Sequence, residues 1–249
     1  MQMRIILNGA GGRMGKAIRE LALNGYRNAE VVACVDLIPM EACGIPTYTE
    51  INDVNEDADC IVDFSNHEGT PKLLAYAAKR GLPVVLSTTG HTEVELAEIE
   101  RMGQEIAIFR SANMSLGVAL LVELAKTAAK AMPDADIEIV EKHHNRTLDA
   151  PSGTALMIAN AIKTVREKAQ LVLGRHGQAK REKNEIGIHA IRMGNIVGEH
   201  EVIVGTDNET ITLKHEAHNR ALFAEGALAA ADFLTGKPAG VYDMNSLIG

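Results

Sequence analysis

Arg4-Ile-Ile-Leu-Asn-Gly-Ala-Gly-Gly-Arg-Met-Gly-Lys16 joins a short apolar run to a glycine cluster and then to a segment with helical spacing through Met14, Ile18, Leu21 and Ala22. The pattern predicts strand, tight turn and helix. Gly9, Gly12 and Gly15 follow a GxxGxxG spacing. One such glycine makes the turn, one lets backbone amides approach a pyrophosphate, and one lets helix and strand touch. Val31–Val35 reads as a second apolar strand, with Asp36 at its end roughly 20 residues after the last glycine, where a carboxylate meets an adenosine ribose. A packing turn followed by an ordinary strand-terminal Asp is the plainer alternative, and the complete context favours a nucleotide site.

Outward from this unit the alternation of strand and helix continues. Cys60–Phe64 reads as a strand ending in Ser65-Asn66-His67, Thr70–Arg80 as a helix, and Pro83–Leu86 as a strand ending in Ser87-Thr88-Thr89-Gly90. A helix over Glu93–Gly103 and a strand over Ile106–Arg110 follow, the latter ending in Ser111-Ala112-Asn113-Met114. Each strand delivers small polar residues to its C-terminal end, the edge at which open α/β sheets bind ligands. The candidate cofactor residues are therefore Gly9, Ala10, Gly11, Gly12, Arg13, Met14, Asp36, Ser87, Thr88, Thr89, Ser111, Ala112, Asn113 and Met114. Asp36 repels a 2′-phosphate and Leu37 offers no cation, so NADH is favoured; Arg13 and Lys16 leave NADPH open. His67 and His91 read as surface residues, and the charged run Glu93–Glu105 as a solvated face.

The net charge of −8 argues against a nucleic-acid partner. The absence of Trp and the abundance of Gly and Ala suit helices packed closely on a sheet. Cys34, Cys43 and Cys60 lack CxxC or zinc spacing, and two of them fall in apolar runs, which implies a reducing compartment. Neither a secretory h-region in the first residues nor a run of membrane length is apparent, so a cytoplasmic protein without a membrane partner is expected.

Beyond Ser115–Met132, a helix by pattern with Leu116, Leu120, Leu124 and Ala128 four apart, the arrangement changes. Ile137–Val140 alternates as a strand, and Glu185–Met193, Glu201–Gly205 and Thr210–Glu216 follow with turn signals at Gly194-Asn195 and Asp207-Asn208. A mixed sheet with one helix over Gly153–Lys168 is predicted, and Phe223–Leu234 returns as an Ala-rich helix able to dock on the first domain. The charged stretch Arg175–Lys183 reads as a mobile or solvated loop. Between strand and helix lies His143-His144-Asn-Arg-Thr147-Leu-Asp-Ala-Pro-Ser152-Gly153-Thr154, imidazoles and hydroxyls in a loop held by rigid elements. Ser-Gly-Thr at a helix N-terminus offers amides, a hydroxyl and the positive dipole end to an anion. Adjacent histidines on extended backbone point apart and no ligand cluster accompanies them, so no metal is expected.

The sequence resembles the 4-hydroxy-tetrahydrodipicolinate reductase (dihydrodipicolinate reductase) family. The resemblance covers Gly9–Lys16, Ser87–Gly90, Ala112–Val118, the 138–154 signature, Gly187–Arg192 with Gly198-Glu199-His200, His215–Gly226 and Tyr242-Asp243-Met244, in the family's order across nearly the whole chain. It implies an α/β protein with a Rossmann-type dinucleotide domain, 1–113 completed by 220–249, and a smaller α+β substrate and oligomerisation domain with a mixed sheet, 114–219. It implies reduction of a cyclic dicarboxylate by NADH or NADPH in lysine and diaminopimelate biosynthesis, in a homotetramer. In the family signature the first His, His143 here, is the proton donor and His144 contacts substrate; Ser152, Gly153 and Thr154 hold a carboxylate, and Arg220 adds a cation. Thr147 stands where the family has a catalytic Lys, and a hydroxyl replaces an ammonium neither as an acid near neutral pH nor as an ion-pair partner. Arg146 and Lys142 are near but off register. Met114 stands where the family commonly has an aromatic beside the nicotinamide. His176, His189, His200, His215 and His218 read as structural or surface residues. The alternatives are a catalytically impaired nucleotide-binding relative with a regulatory role, and a reductase of another small imino or keto acid.

Overall fold

The computed structural model describes residues 2–40 and 44–249 and divides into two compact units, Met1–Leu116 with Ala221–Gly249, and Gly117–Arg220. Cys43 lies outside the described residues, while Cys34 and Cys60 are buried, the thiol of Cys60 pushed up to about 12 by burial. No helix among the described residues is long and apolar enough to cross a membrane.

The first unit runs β1 (Met3–Asn8), α1 (Arg13–Leu23), β2 (Ala29–Val35), β3 (Thr47–Tyr48), β4 (Cys60–Asp63), α2 (Thr70–Arg80), β5 (Val84–Leu86), α3 (Glu93–Met102) and β6 (Ala107–Arg110). The paired strands are parallel, with β1 between β2 and β4 and the order β3-β2-β1-β4-β5-β6. That order places the switch point of a doubly wound sheet between β1 and β4. Helices cover the sheet, so its strands are nearly continuous apolar runs: Ile5, Ile6, Leu7, Ile61, Val62, Val84, Val85 and Leu86 are fully buried. The α/β reading of this half holds, although the two-residue β3 is too short to leave a pattern.

The second unit contains α4 (Leu116–Ala131), β7 (Asp136–His143), α5 (Gly153–Lys163), β8 (Gln170–Leu173), β9 (Glu185–Arg192), β10 (Gly198–Gly205) and β11 (Thr210–Ala217). Its five strands form the expected mixed sheet, order β11-β10-β7-β9-β8, antiparallel from β11 to β7 and parallel from β7 to β8. Ile137, Ile139, Ile186, Ile188, Val202 and Val204 pack in one core with Val118, Leu121, Val122, Ile158 and Ile162. Each such side chain contributes about 1.5–3 kcal/mol by leaving water. On α4 the Leu120 and Leu124 positions of the four-apart stripe are 52% and 44% exposed; the neighbouring stripe is the buried one.

Two readings are corrected here. The helix beginning at Gly153 stops at Lys163 rather than Lys168, because Thr164 bonds back to Ala161 and Arg166 turns away to cap the carbonyls of Ala129, in the last turn of α4, and Met132, just after it. The strand β8 was not expected. The loop 175–183 is exposed, as expected, except at Arg181, which bonds Asp136, Glu138 and the carbonyls of Ile137 and Glu185 and so fastens the loop to β7 and β9.

The chain re-enters the first unit as α6 (Ala221–Leu234), β12 (Gly240–Tyr242) and α7 (Met244–Ile248). Helix α6 packs on α1, where Arg27 of the turn after α1 pairs with Asp232, and β12 adds a seventh, unpredicted strand beside β6.

Candidate functional site

At the switch point the sterics of the glycines are explicit. Gly9 has φ +77° and follows β1, and a Cβ there would lie 2.6 Å from the Phe64 backbone at the end of β4. A Cβ on Gly15 would lie 2.5 Å from the carbonyls of Gly9 and Ala10, so only glycine lets α1 approach the turn. Gly12 is exposed at the N-terminus of α1, beside exposed Arg13. Asp36 accepts from Gly11 N at 2.9 Å and from Ile38 N at 3.1 Å, and lines a cavity of about 400 Å³ with Gly9, Gly12, Leu37, Ile38 and an ion-paired Glu50 and Lys72. A glycine cradle opening beside a carboxylate fits the pyrophosphate and ribose of a dinucleotide.

The neighbouring strand ends are tied together from within. Buried Asp63 accepts from Asn8 Nδ2 at 2.8 Å, Ser65 Oγ at 2.6 Å and Thr88 Oγ1 at 2.6 Å, which joins β1, β4 and β5. Burial raises its carboxyl against these bonds. Thr88 thus anchors Asp63, whereas Thr89 is exposed. Ser111 and Asn113 close a small turn through the Ser111 hydroxyl, and Met114 is buried, its carbonyl packed where Gly226 has no side chain. Ala10 is buried, Ser87 and Met14 are half-buried, and Ala112 is exposed. His67 bonds Glu95 and His91 bonds Thr70, local contacts at the same edge; Glu95 is therefore not part of a solvated face.

In the second unit the apolar alternation of β7 does not stop at Ile139. Glu141 and His143 take the next two inward positions, and Glu141 is fully buried. Arg192 Nη1 donates to its Oε2 at 2.8 Å and Arg192 Nη2 to its Oε1 at 2.6 Å. His143 Nδ1 donates to Oε2 at 2.6 Å, and Ser152 N to Oε1 at 3.0 Å. Burial works against this carboxylate, but the bonds from Arg192, His143 and Ser152 outweigh it and hold Glu141 below the usual carboxyl range. Arg192 also donates to the Asp149 carbonyl, so one buried ion pair fixes β9, β7 and the loop to α5.

With Nδ1 committed to Glu141, the free nitrogen of His143 is Nε2. A Cβ on Gly198 would lie 3.1 Å from that atom, so glycine leaves its approach open. His144 and Thr147 close a turn, the Thr147 amide on the His144 carbonyl and Thr147 Oγ1 3.0 Å from His144 Nδ1. Neither nearby cation takes the place of a lysine at 147. Arg146 bonds Asn195 at 2.6 Å, and Lys142, on the opposite face of β7, pairs with Glu199 at 3.0 Å.

Ser152 caps α5 by accepting from Ala155 N at 3.3 Å, and Gly153 N donates to Asp149 Oδ2 at 3.3 Å, so a carboxylate already rests on this helix N-terminus. Thr154 is half-buried in the first turn. His200, on β10 opposite Glu141, is only 4% exposed, with Nε2 3.2 Å from Ser152 Oγ and its ring 5.2 Å from that of His143. Arg220 is exposed at the end of the unit, without an ion pair among the described residues. Glu141, Arg192 and His200 were missed as site residues; the available signal was a charged or polar residue on the inward phase of an otherwise apolar strand.

Comparison with known proteins accords with both halves. Residues 3–114 match the family model described as dihydrodipicolinate reductase, N-terminus, and residues 117–248 the one described as dihydrodipicolinate reductase, C-terminus. A 4-hydroxy-tetrahydrodipicolinate reductase of Caldanaerobacter subterraneus subsp. tengcongensis is 51% identical over 252 residues, covering 100% of this chain and 99% of the relative. One from Clostridium novyi is 44% identical and covers 98% of each. The dipicolinate-bound dihydrodipicolinate reductase of Paenisporosarcina sp. TG-14 shares the fold with a TM-score of 0.84 at 23% identity, over 98% of this chain and 99% of that one. By its glycine turn, its doubly wound and mixed sheets, and these matches along nearly its full length, the chain belongs to the dihydrodipicolinate reductase family.

Proposed function

We propose that this protein reduces 4-hydroxy-tetrahydrodipicolinate to tetrahydrodipicolinate with NADH or NADPH, His143 serving as proton donor. The observation that carries the reading is the Glu141–His143 pair beside the capped N-terminus of α5: a held imidazole next to a carboxylate-binding helix end. A bound reduced nicotinamide dinucleotide supplies the hydride. Overall, one hydride and one proton enter and the 4-hydroxyl leaves as water.

Glu141 fixes His143 Nδ1–H, so the proton given to substrate comes from Nε2, on the side that Gly198 leaves open. The resulting imidazole is neutral and keeps its Nδ1–H bond. Ser152, Gly153 and Thr154 hold one substrate carboxylate at the positive end of α5, His144 contacts the substrate, and Arg220 supplies a cation. Thr147 leaves the family's second cation missing, which weakens the enzyme. The acidic lining of the cavity near Asp36, with Lys72 already paired to Glu50, supports a preference for NADH. The family resemblance supports a homotetramer built through the second unit and a cytoplasmic place in lysine and diaminopimelate biosynthesis.

Oxidation of NADH with freshly generated 4-hydroxy-tetrahydrodipicolinate tests the reading. Steady turnover is expected. Tight NADH binding with no turnover would instead favour a nucleotide-responsive relative.

A further inference from the structure

We infer that His200 is a positioning residue that leaves the Ser152 hydroxyl proton free to bind a substrate carboxylate. This deepens the reductase reading above and rests on it. A hydroxyl has three hydrogen-bonding places, one proton and two lone pairs. One lone pair of Ser152 Oγ takes the Ala155 amide, which caps α5. The remaining partner among the described residues is His200 Nε2 at 3.2 Å, and which of the two donates decides what Ser152 has left.

His200 sits between Glu141 on β7 and His215 on β11, with the His143 ring edge-on at 5.2 Å and Arg192 bound to the same Glu141. Burial first, and the neighbouring His143 second, hold its pKa at about 4, so near neutral pH it is a neutral imidazole with one N–H. Its Nδ1 is buried and has no partner among the described residues. Folded proteins tolerate an unfilled lone pair more readily than a buried N–H with no acceptor. The proton therefore belongs on Nε2, where Ser152 Oγ accepts it. Both lone pairs of Oγ are then filled from within, by Ala155 and His200, and the hydroxyl proton has no acceptor among the described residues. It is directed to a ligand at the helix N-terminus, where the dipole already favours an anion. With the opposite tautomer, Ser152 would point its proton at His200 and offer a carboxylate nothing.

Glutamine and asparagine substitutions separate the two nitrogens of His200, since a Gln amide reaches the place of Nε2 and an Asn amide that of Nδ1. The measurement is calorimetric binding of dipicolinate to the NADH-loaded protein, with substrate KM and kcat alongside. His200→Gln should bind dipicolinate within about three-fold of wild type, while His200→Asn should lose about ten-fold or more and raise KM with kcat changed far less. In a Ser152→Ala background, His200→Asn should add no further loss. Equal binding by the Gln and Asn variants, or an Asn loss that persists undiminished in the Ser152→Ala background, overturns the inference while leaving the reductase reading intact. Wild-type protein that neither binds dipicolinate nor turns over substrate overturns both.

Discussion

Glu141 and Arg192 form a two-pronged ion pair across the parallel strands β7 and β9, with Nη–Oε distances of 2.8 and 2.6 Å and the carboxylate wholly removed from water. The same carboxylate holds the site imidazole and the amide that begins the helix cap. One side chain therefore joins the packing of β7 and β9 to the proposed proton donor.

Removing one partner of a buried pair strands the other, at about 3–5 kcal/mol. Glu141→Gln should lower stability by an amount of that order at neutral pH, and lower kcat because His143 loses its orientation. The folded-state pKa of Glu141 is depressed, so its contribution is present above the unfolded value of 4.5 and is lost as pH falls through the lower folded value. Denaturant unfolding as a function of pH should show Glu141→Gln converging on wild type only in that acid range. Convergence already at neutral pH would contradict the pairing.

His200 acts in a separate window. Its unfolded value is near 6.5 and its folded value about 4, so the unfolded chain takes a proton first. Stability should fall between about pH 6.5 and about 4, by up to roughly 1.4 kcal/mol per pH unit. His91 and His215 are also pushed down by burial, so His200→Gln should reduce that slope in denaturant unfolding by the share of one group while leaving the more acidic Glu141 component in place.

Much of this was legible in the sequence, for identifiable reasons. Gly9 and Gly15 were readable because their roles are steric and local: a positive φ and a contact under 3 Å leave no other residue. The His143-to-Thr154 stretch was readable because strand, loop and helix cap are consecutive. Glu141, Arg192 and His200 were not, because their meeting depends on strand register, His143 opposite Arg192 and Glu141 opposite His200, between segments far apart in the chain. The end of α5 was not legible for a related reason: Arg166, with good helix propensity, leaves the helix to satisfy carbonyls at the C-terminal end of α4.

Thr147 faces His144 rather than any carboxylate. Thr147→Lys should restore a charge-assisted contact to substrate worth about 1.5–3 kcal/mol, roughly ten- to hundred-fold in kcat/KM. Steady-state kinetics of the two proteins side by side provide the check, and an unchanged or lower kcat/KM would mean that another group already fills the role.

Gly198→Ala would crowd His143 Nε2, since the added Cβ falls 3.1 Å from it in a buried strand. A loss of kcat of about ten-fold or more, with NADH affinity measured by fluorescence unchanged, is expected. Equal loss of NADH affinity would point to general misfolding.

The proposed preference for NADH rests on Asp36. Wild-type kcat/KM should be higher with NADH than with NADPH, and Asp36→Ala should narrow the ratio by removing the charge that repels a 2′-phosphate. Equal or better wild-type kcat/KM with NADPH would refute the assignment.

The proposed reaction depends most directly on His143 as proton donor. Loss of a positioned general acid lowers turnover by roughly 100- to 10,000-fold. The measurement is kcat of His143→Gln against wild type on freshly generated 4-hydroxy-tetrahydrodipicolinate, with dipicolinate binding to both. A fall of that size with binding largely retained is expected; a His143→Gln kcat within a few-fold of wild type would contradict a proton donated by His143.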